Sequence, residues 1–194
     1  MPVAATTAFQ GLRFGELKPG QHVLINGASG GVGPYAVQIA KALGAEVTGV
    51  CSHRNVDMVR SLGADRVIDY EREDFSQKGP YNLVFDTVGN RGVMALKRAA
   101  RPGGRVVIAG FMGIGKLLGH ALGGLWFSKF GNVTIGMMPV ASVNTADLLT
   151  LKNWVEKGKL KTVIDRQYSL EKTSEAIEYL ESRHARAKVV IQMA

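Results

Sequence analysis

Residues 22–44 read H-V-L-I-N-G-A-S-G-G-V-G-P-Y-A-V-Q-I-A-K-A-L-G, and this stretch carries the clearest signal of the fold. The apolar run His22–Asn26 is typical of a buried β-strand, and a glycine-rich loop follows it directly. From Gly31 to Leu43 apolar residues recur at helical spacing, with Pro34 near the start and Gly44 just past the end. A strand, a glycine-rich loop and a helix in this order predict the start of a βαβ unit.

The rest of the chain alternates β-type apolar runs with helical segments. Further strands are predicted at Glu46–Val50, Arg66–Tyr70, Asn82–Asp86, Arg105–Gly110, Asn132–Met138 and Lys188–Met193. Further helices are predicted at Asn55–Leu62, Gly92–Ala100, Thr145–Glu156 and Glu171–Ser182. Several strands are apolar at consecutive positions, as in strands covered on both faces. The pattern predicts an α/β chain with a Rossmann-type, doubly wound parallel sheet and helices on both faces.

The composition is that of a globular α/β protein. The 194 residues suit one well-cored domain, at roughly 150 residues per domain. No apolar run approaches the roughly 18 residues that span a bilayer. The amino terminus lacks the basic start and apolar core of a secretory signal, and a single cysteine, Cys51, agrees with a reducing compartment. We therefore predict a cytoplasmic protein with no membrane span and with Cys51 as a small buried residue at a strand end.

The net charge of +8 raises the question of a nucleic-acid partner. Lys and Arg are scattered along the chain, however, and no basic run with interleaved aromatic residues occurs, so nucleic-acid binding is not predicted. The histidines and Cys51 show no spacing typical of metal ligands, and no metal site is predicted.

The glycine-rich loop fits two patterns. Residues 27–31, G-A-S-G-G, match the G-x-S-x-G nucleophile elbow of serine hydrolases, for which Asp165 and His184 follow Ser29 in the required order. The hydrolase interpretation lacks an oxyanion loop from an earlier strand, because the only strand before Ser29 carries the loop itself. Glycines at 27, 30 and 33 instead give G-x-x-G-x-x-G, a variant of the dinucleotide-binding loop, in the strand-to-helix context that this motif requires.

In the dinucleotide interpretation each glycine has a physical role. Gly27 permits the tight turn, Gly30 and Gly31 let backbone N–H groups approach a pyrophosphate, and Gly33 lets the helix lie close to the strand. Ser29 is then a hydrogen-bond donor to a phosphate or a helix cap.

The end of the second predicted strand indicates which cofactor binds. NAD sites usually carry an acidic residue there, about 20 residues beyond the loop. Here the segment is V-C-S-H-R-N, without an acid, and Ser52 and Arg54 are suited to a 2′-phosphate. We therefore predict NADP(H), with an exposed Arg54 at a helix start as the alternative. A ligand-free turn is the alternative for the whole loop.

A second glycine pattern, residues 110–117, reads G-F-M-G-I-G-K-L. It resembles the G-x-x-x-x-G-K-[ST] loop of nucleoside triphosphatases, but Leu117 replaces the hydroxyl residue that binds Mg²⁺. This interpretation is therefore not favoured.

Four stretches carry a family resemblance: V-L-I-N-G-A-S-G-G-V-G with the helix after it, S-L-G-A-D-R-V-I-D-Y, L-V-F-D-T-V-G and P-G-G-R-V-V-I-A-G-F. With the tail E-S-R-H-A-R-A-K-V-V-I they resemble the zinc-independent quinone oxidoreductase branch of the medium-chain dehydrogenase/reductase superfamily over nearly the whole chain. The resemblance implies an NADPH-dependent reductase of quinones, enones or similar activated carbonyls, acting by direct hydride transfer. It names no catalytic side chain.

The resemblance also implies positions for the cofactor. Gly30, Gly31 and Val32 line the pyrophosphate; Ser52, Arg54 and Tyr70 surround the 2′-phosphate and adenosine; Thr87, Val88 and Phe111 lie near the nicotinamide and its ribose; and Arg183 is a further contact. Family members often carry Lys at position 55, where this chain has Asn55. For Tyr70 the alternative is core packing at a strand end.

Family enzymes begin with a separate amino-terminal substrate domain, whereas P-V-A-A-T-T-A-F-Q-G-L corresponds to their connecting helix. The resemblance thus implies an NADP(H)-binding domain over residues 1–162. Residues 163–194 form a helix and strand that pack partly on the missing domain, and strand 132–138 lies at the edge where a homodimer forms. A non-catalytic nucleotide-sensing or interaction module and the enoyl-reductase module of a fatty-acid or polyketide synthase remain as alternatives.

Overall fold

The computed structural model describes residues 2–110, 132–182 and 185–193. These ranges contain eight strands: β1 His22–Asn26, β2 Glu46–Cys51, β3 Arg66–Asp69, β4 Tyr81–Asp86, β5 Ala100–Ile108, β6 Thr134–Met137, β7 Ile164–Ser169 and β8 Lys188–Gln192. The α-helices are α1 Pro2–Phe14, α2 Gly33–Ala42, α3 Val56–Ser61, α4 Val93–Ala99, α5 Thr145–Glu156 and α6 Thr173–Glu181. Short 3₁₀ turns at His53–Asn55, Phe75–Gln77 and Leu170–Lys172 connect them.

Six strands form one parallel sheet in the order β3-β2-β1-β4-β5-β6. The strand order reverses between β1 and β4, and the carboxyl ends of both strands meet there. Such a switch point is where open α/β sheets bind their ligands. The predicted Rossmann-type, doubly wound fold is confirmed.

The core has two halves, one on each face of the sheet. Successive side chains of β1 point to opposite faces. Val23 and Ile25 pack in the cluster that includes side chains of α1 and α2, whereas Leu24 packs in the cluster that includes Leu96 of α4. All three β1 side chains are fully buried. Because both faces are covered, β1 is apolar at consecutive positions instead of alternating.

The carboxyl-terminal part differs from the sequence prediction. The predicted strand at its end is present as β8, but it pairs with β7 in a separate two-stranded parallel sheet. No strand was predicted at Ile164–Ser169, because I-D-R-Q-Y-S lacks an apolar run and its side chains are at most partly buried. The strand forms through its backbone pairing with β8, which a local pattern does not reveal.

No helix within residues 2–110, 132–182 and 185–193 has both the length and the apolar character needed to cross a membrane.

Candidate cofactor site

The glycine-rich loop joins β1 to α2 at the carboxyl edge of the sheet. Gly27 has a φ of 85°, a left-handed conformation that glycine adopts without strain. At Gly33 an added Cβ would lie 2.0 Å from the carbonyl oxygen of Gly27 and 2.6 Å from Cα of Ala28. The predicted reasons for these two glycines, a tight turn and close packing of helix on strand, therefore hold.

Gly30 and Gly31 face different surroundings. A Cβ at Gly30 would meet only the Gly27 carbonyl oxygen at 3.5 Å, and one at Gly31 would meet only Nζ of Lys188 at 3.2 Å. Packing of the backbone therefore does not require glycine at either position. The missing side chains leave the loop open on its cavity side, which suits the close approach of a phosphate.

A cavity of about 340 Å³ opens beside this loop. Nine of the eleven residues predicted to bind the cofactor line it. They are Ser29, Gly30, Gly31, Val32, Ser52, Arg54, Tyr70, Thr87 and Val88. The other two, Phe111 and Arg183, lie outside the described residues.

Ser29 is not the cap of α2. The N-cap residue is Val32, and it makes no side-chain capping bond. Oγ of Ser29 instead accepts a hydrogen bond from Nδ2 of Asn55, at 3.1 Å. Of the two roles predicted for Ser29, the structure leaves that of a donor to a ligand.

The end of β2 supplies the second wall of the cavity, with Ser52, Arg54 and Asn55. Tyr70 follows β3 on the same side and is 50% exposed, so the core-packing alternative for this tyrosine is wrong. Among the described residues that line the cavity, none is acidic.

Asp69, at the end of β3, belongs to a separate ion-pair group. Its Oδ1 accepts a hydrogen bond from the Glu71 backbone N–H at 3.0 Å. Its Oδ2 lies 3.4 Å from Nδ1 of His53 and 3.6 Å from Nε of Arg72. The negative charge at this strand end therefore has basic partners of its own.

The third wall is the turn after β4. The buried carboxylate of Asp86 accepts hydrogen bonds through Oδ1 from Asn26 Nδ2 and from the backbone N–H groups of Val88 and Gly89. Oγ1 of Thr87 donates to the carbonyl oxygen of Asn26 at 2.8 Å. These bonds hold the D-T-V-G turn against the end of β1, so that Thr87 and Val88 face the cavity.

The segment 185–188 crosses the glycine-rich loop, which the sequence did not predict. The N–H of Ala187 donates to the carbonyl oxygen of Ser29 at 2.9 Å, and Ala185 lines the cavity. Lys188, next in the chain, brings its ammonium group to Gly31. Burial lowers the pKa of Lys188 from its ordinary value, and no ion pair joins it to an acidic side chain among the described residues. More than 150 residues separate Lys188 from the loop, so no local signal reveals this contact.

Further residues that the sequence analysis did not assign as ligands also line the cavity: Asn26, Gly27, Val50, Cys51, Asn55, Asn90 and Ala185. Cys51 is buried at the end of β2, as predicted. Burial and, secondarily, the charge of Asp69 raise the pKa of its thiol to about 12. The thiol therefore stays protonated near neutral pH and is a poor nucleophile.

The structure describes only some of the residues that the alternative chemistries require. Asp165, the acid of the hydrolase interpretation, accepts hydrogen bonds from Tyr179 Oη at 2.6 Å and from Arg186 N–H at 2.9 Å. The required histidine, His184, lies outside the described residues, as do Phe111–Leu117 of the triphosphatase pattern. In residues 2–110, 132–182 and 185–193, no three His, Cys, Asp or Glu side chains are grouped as metal ligands.

Comparison with known proteins agrees with this geometry. Residues 62–191 match the family model described as zinc-binding dehydrogenase, which is more than half of the chain. This chain belongs to the zinc-binding dehydrogenase family. Quinone oxidoreductases are among its relatives, which confirms the resemblance seen in the sequence motifs.

Three relatives of this chain illustrate the match. Quinone-oxidoreductase QR1, chloroplastic, of Triphysaria versicolor is 36% identical over 203 residues, which cover 99% of this chain and 60% of that protein. NADPH-dependent alkenal/one oxidoreductase, chloroplastic, of Arabidopsis thaliana is 32% identical over 199 residues, covering 98% of this chain and 45% of that protein. The solved quinone oxidoreductase from Coxiella burnetii is 30% identical with a TM-score of 0.86, covering 100% of this chain and 59% of that one. The chain thus spans about half of the length of these proteins.

Proposed function

We propose that this chain is the NADP(H)-binding domain of an oxidoreductase that transfers hydride from NADPH to a quinone, an enone or a similar activated carbonyl acceptor. One observation carries the proposal: a single cavity joins the glycine-rich loop to Ser52 and Arg54, and its described lining has no acidic side chain. A guanidinium pairs with a 2′-phosphate, whereas a carboxylate there repels it. The name of the NADPH-dependent relative from Arabidopsis thaliana supports the same choice.

In this proposal the glycine-rich loop binds the pyrophosphate of the cofactor. Gly31 and Val32 offer backbone N–H groups at the amino end of α2, where the helix dipole favours negative charge. The Gly30 N–H already donates to the carbonyl oxygen of Gly27 at 3.0 Å, so Gly30 serves the pyrophosphate by leaving room for its close approach. Ser29 adds a hydroxyl donor. Because these contacts involve atoms common to NADPH and NADH, they give affinity without choosing between the two cofactors.

The other two walls of the cavity, the end of β2 and the turn after β4, bind the two ends of the cofactor. Ser52, Arg54 and Tyr70 hold the 2′-phosphate and adenosine, and Thr87 and Val88 hold the nicotinamide end. NADPH, when bound, supplies the hydride. The chain supplies orientation, which lowers the barrier by holding the reacting groups in place. Phe111 and Arg183 remain predicted contacts.

The proposal is tested by Arg54→Glu, with isothermal titration of NADPH and of NADH. We expect the Kd for NADPH to rise by about 100-fold and that for NADH by less than about threefold, because only NADPH carries the 2′-phosphate. Arg60→Glu is the matched control, since Arg60 is exposed on α3 and lies outside the cavity. Equal weakening of both cofactors by Arg54→Glu contradicts the placement of the 2′-phosphate.

Turnover separates the proposed enzyme from its alternatives. NADPH oxidation is followed with a quinone, an enone and an enoyl thioester in turn. Turnover with a quinone or an enone supports the proposal, and turnover with the enoyl thioester alone supports the enoyl-reductase alternative. Tight NADPH binding without turnover supports a nucleotide-sensing module or an acceptor site built largely by residues outside this chain.

The domain division is a further proposal: residues 1–162 bind NADP(H), and residues 163–194 pack partly on an amino-terminal substrate domain. Exposed apolar side chains on α6, Ile177 at 50% and Leu180 at 48%, support such a partner for the carboxyl-terminal part. Slower amide exchange over α6 in a protein that also carries this domain tests it. We also propose a cytoplasmic location, which fluorescence microscopy of the tagged protein tests, although four relatives from plants are named as chloroplast proteins.

A further inference from the structure

Asn55 lies between two walls of the cavity, the glycine-rich loop and the turn after β2. It is 4% exposed and ends the 3₁₀ turn after β2. Its Nδ2 donates to Oγ of Ser29 and to Oγ of Ser52, each at 3.1 Å. Its own backbone N–H donates to the carbonyl oxygen of Ser52 at 2.9 Å. One buried amide group therefore connects the glycine-rich loop after β1 with the turn after β2.

The hydrogen bond from Asn55 to Ser29 lies just beyond the last direct backbone hydrogen bonds between the glycine-rich loop and β2. The N–H groups of Gly27 and Ala28 donate to the carbonyl oxygen of Val50, at 3.2 and 2.9 Å, and hold the start of the loop against β2. Ser29, the next residue, makes no backbone hydrogen bond to β2 in the described part of the chain and reaches that wall through Asn55.

The direction of these bonds has a chemical consequence. In this orientation of the Asn55 amide, Nδ2 donates to both serine oxygens and Oδ1 lies buried without a hydrogen-bond partner among the described residues. Each serine oxygen therefore acts as the acceptor. A serine hydroxyl that accepts in this way keeps its own hydrogen available for another acceptor. Within the described part of the chain neither hydroxyl donates to a protein group, and both serines line the cavity. A phosphate, which offers only acceptor oxygens, is the ligand that such hydroxyls fit.

We propose that Asn55 is a positioning residue that presents the hydroxyls of Ser29 and Ser52 as donors to the phosphate groups of the cofactor. The proposal rests on the proposed function for the identity of the ligand. It assigns Ser29 to the pyrophosphate and Ser52 to the 2′-phosphate, so that Asn55 serves both through one amide. Asn55 thereby acts by orienting neutral donors, without adding a charge of its own to the site.

The test compares Asn55→Ala with Asn144→Ala, which removes an asparagine cap from α5, remote from the cavity. We expect Asn55→Ala to raise the Kd of NADPH about 10-fold and that of NADH about threefold, since two oriented hydroxyls serve NADPH and one serves NADH. Amide exchange of residues 29–32 without nucleotide should also become faster. Asn144→Ala should change neither quantity.

The double variant Ser29→Ala, Ser52→Ala distinguishes a positioning role of Asn55 from a merely structural one. If Asn55 acts through the two hydroxyls, adding Asn55→Ala to this background leaves the Kd of NADPH within about twofold. A further 10-fold loss overturns the proposal.

The isosteric variant Asn55→Asp gives a second readout. Its carboxylate accepts from both serines and turns their hydrogens away from the ligand. We expect NADPH binding to fall at least 10-fold while amide exchange of the loop stays near that of the unmodified chain. NADPH binding that survives in Asn55→Asp overturns the proposal.

Failure of the proposed function can be distinguished from failure of the inference about Asn55. If the unmodified chain binds neither NADPH nor NADH, the proposed function is wrong, and exchange of residues 29–32 in Asn55→Ala still decides whether Asn55 holds the loop. If that exchange equals the exchange of the unmodified chain, Asn55 does not position Ser29, whatever the ligand.

Discussion

Among single residues, Lys188 adds a positively charged group beside the glycine-rich loop that the sequence did not predict. Its ammonium lies beside Gly31 in the loop, and burial lowers its pKa. Burial penalises the charged form of a lysine, whereas a bound pyrophosphate favours it. The charge is therefore costly in the free protein and becomes useful when an anion binds.

We predict that Lys188→Met weakens NADPH and NADH alike, by about 10-fold, because the pyrophosphate is common to both. In the unmodified chain the affinity should fall as the pH rises through the lowered pKa of Lys188, since the ammonium is lost. Lys188→Arg should keep its affinity at that pH because the guanidinium stays charged. Titrations of each variant across alkaline pH check this, and an unchanged Kd in Lys188→Met contradicts it.

At the scale of elements, the carboxyl-terminal unit of β7, α6 and β8 holds segment 185–188 on the loop. Oδ2 of Asp165 accepts from Oη of Tyr179 on α6 and from the backbone N–H of Arg186. Donation to Asp165 is the main reason that the pKa of Tyr179 is raised. Ala187 has a φ of 57°, a conformation that costs about 1 kcal/mol for a residue with a Cβ. The segment is therefore held in position by specific hydrogen bonds.

We predict that Asp165→Ala weakens binding of both nucleotides about fivefold and speeds amide exchange at Ala187, because Arg186 and Tyr179 lose their shared acceptor. Asp57→Ala is the matched control, since the Asp57 side chain is 99% exposed on α3. Nucleotide affinity that is equal in the two variants shows that segment 185–188 is not needed for the site.

At the scale of the whole molecule, β6 is the last strand of the six-stranded sheet that the described residues form. We propose that strand 132–138 extends this sheet across a two-fold axis to form a homodimer. Sheet edges pair readily with another chain, and charged side chains on an edge oppose such pairing.

We predict a dimer in sedimentation velocity at micromolar concentration and a monomer after Thr134→Lys. Thr134 is exposed at the start of β6, so the substitution adds charge to the edge without filling the core. A monomer for the unmodified chain, or a dimer that Thr134→Lys leaves intact, removes this proposal.

The main sheet and most of the lining of the cavity could be predicted from local sequence signals. Gly27 and Gly33 are needed for local backbone reasons, the strands of the sheet are buried on both faces, and Ser52 and Arg54 follow β2 directly. Each of these signals lies within a few residues of the structure that it specifies. The parallel βαβ rule then brings the ends of β1, β2 and β4 to one edge without further information.

The remaining contacts depend on tertiary packing and could not be predicted from the sequence. β7 forms because β8 pairs with it, although its own sequence has no strand pattern. Lys188 reaches Gly31, and Asn55, which binds its near neighbour Ser52, also binds Ser29, because the fold brings together segments far apart in the chain. Such contacts depend on how complete elements pack and leave no periodic signal in the sequence, so the residues that orient the site could be read only from the folded chain.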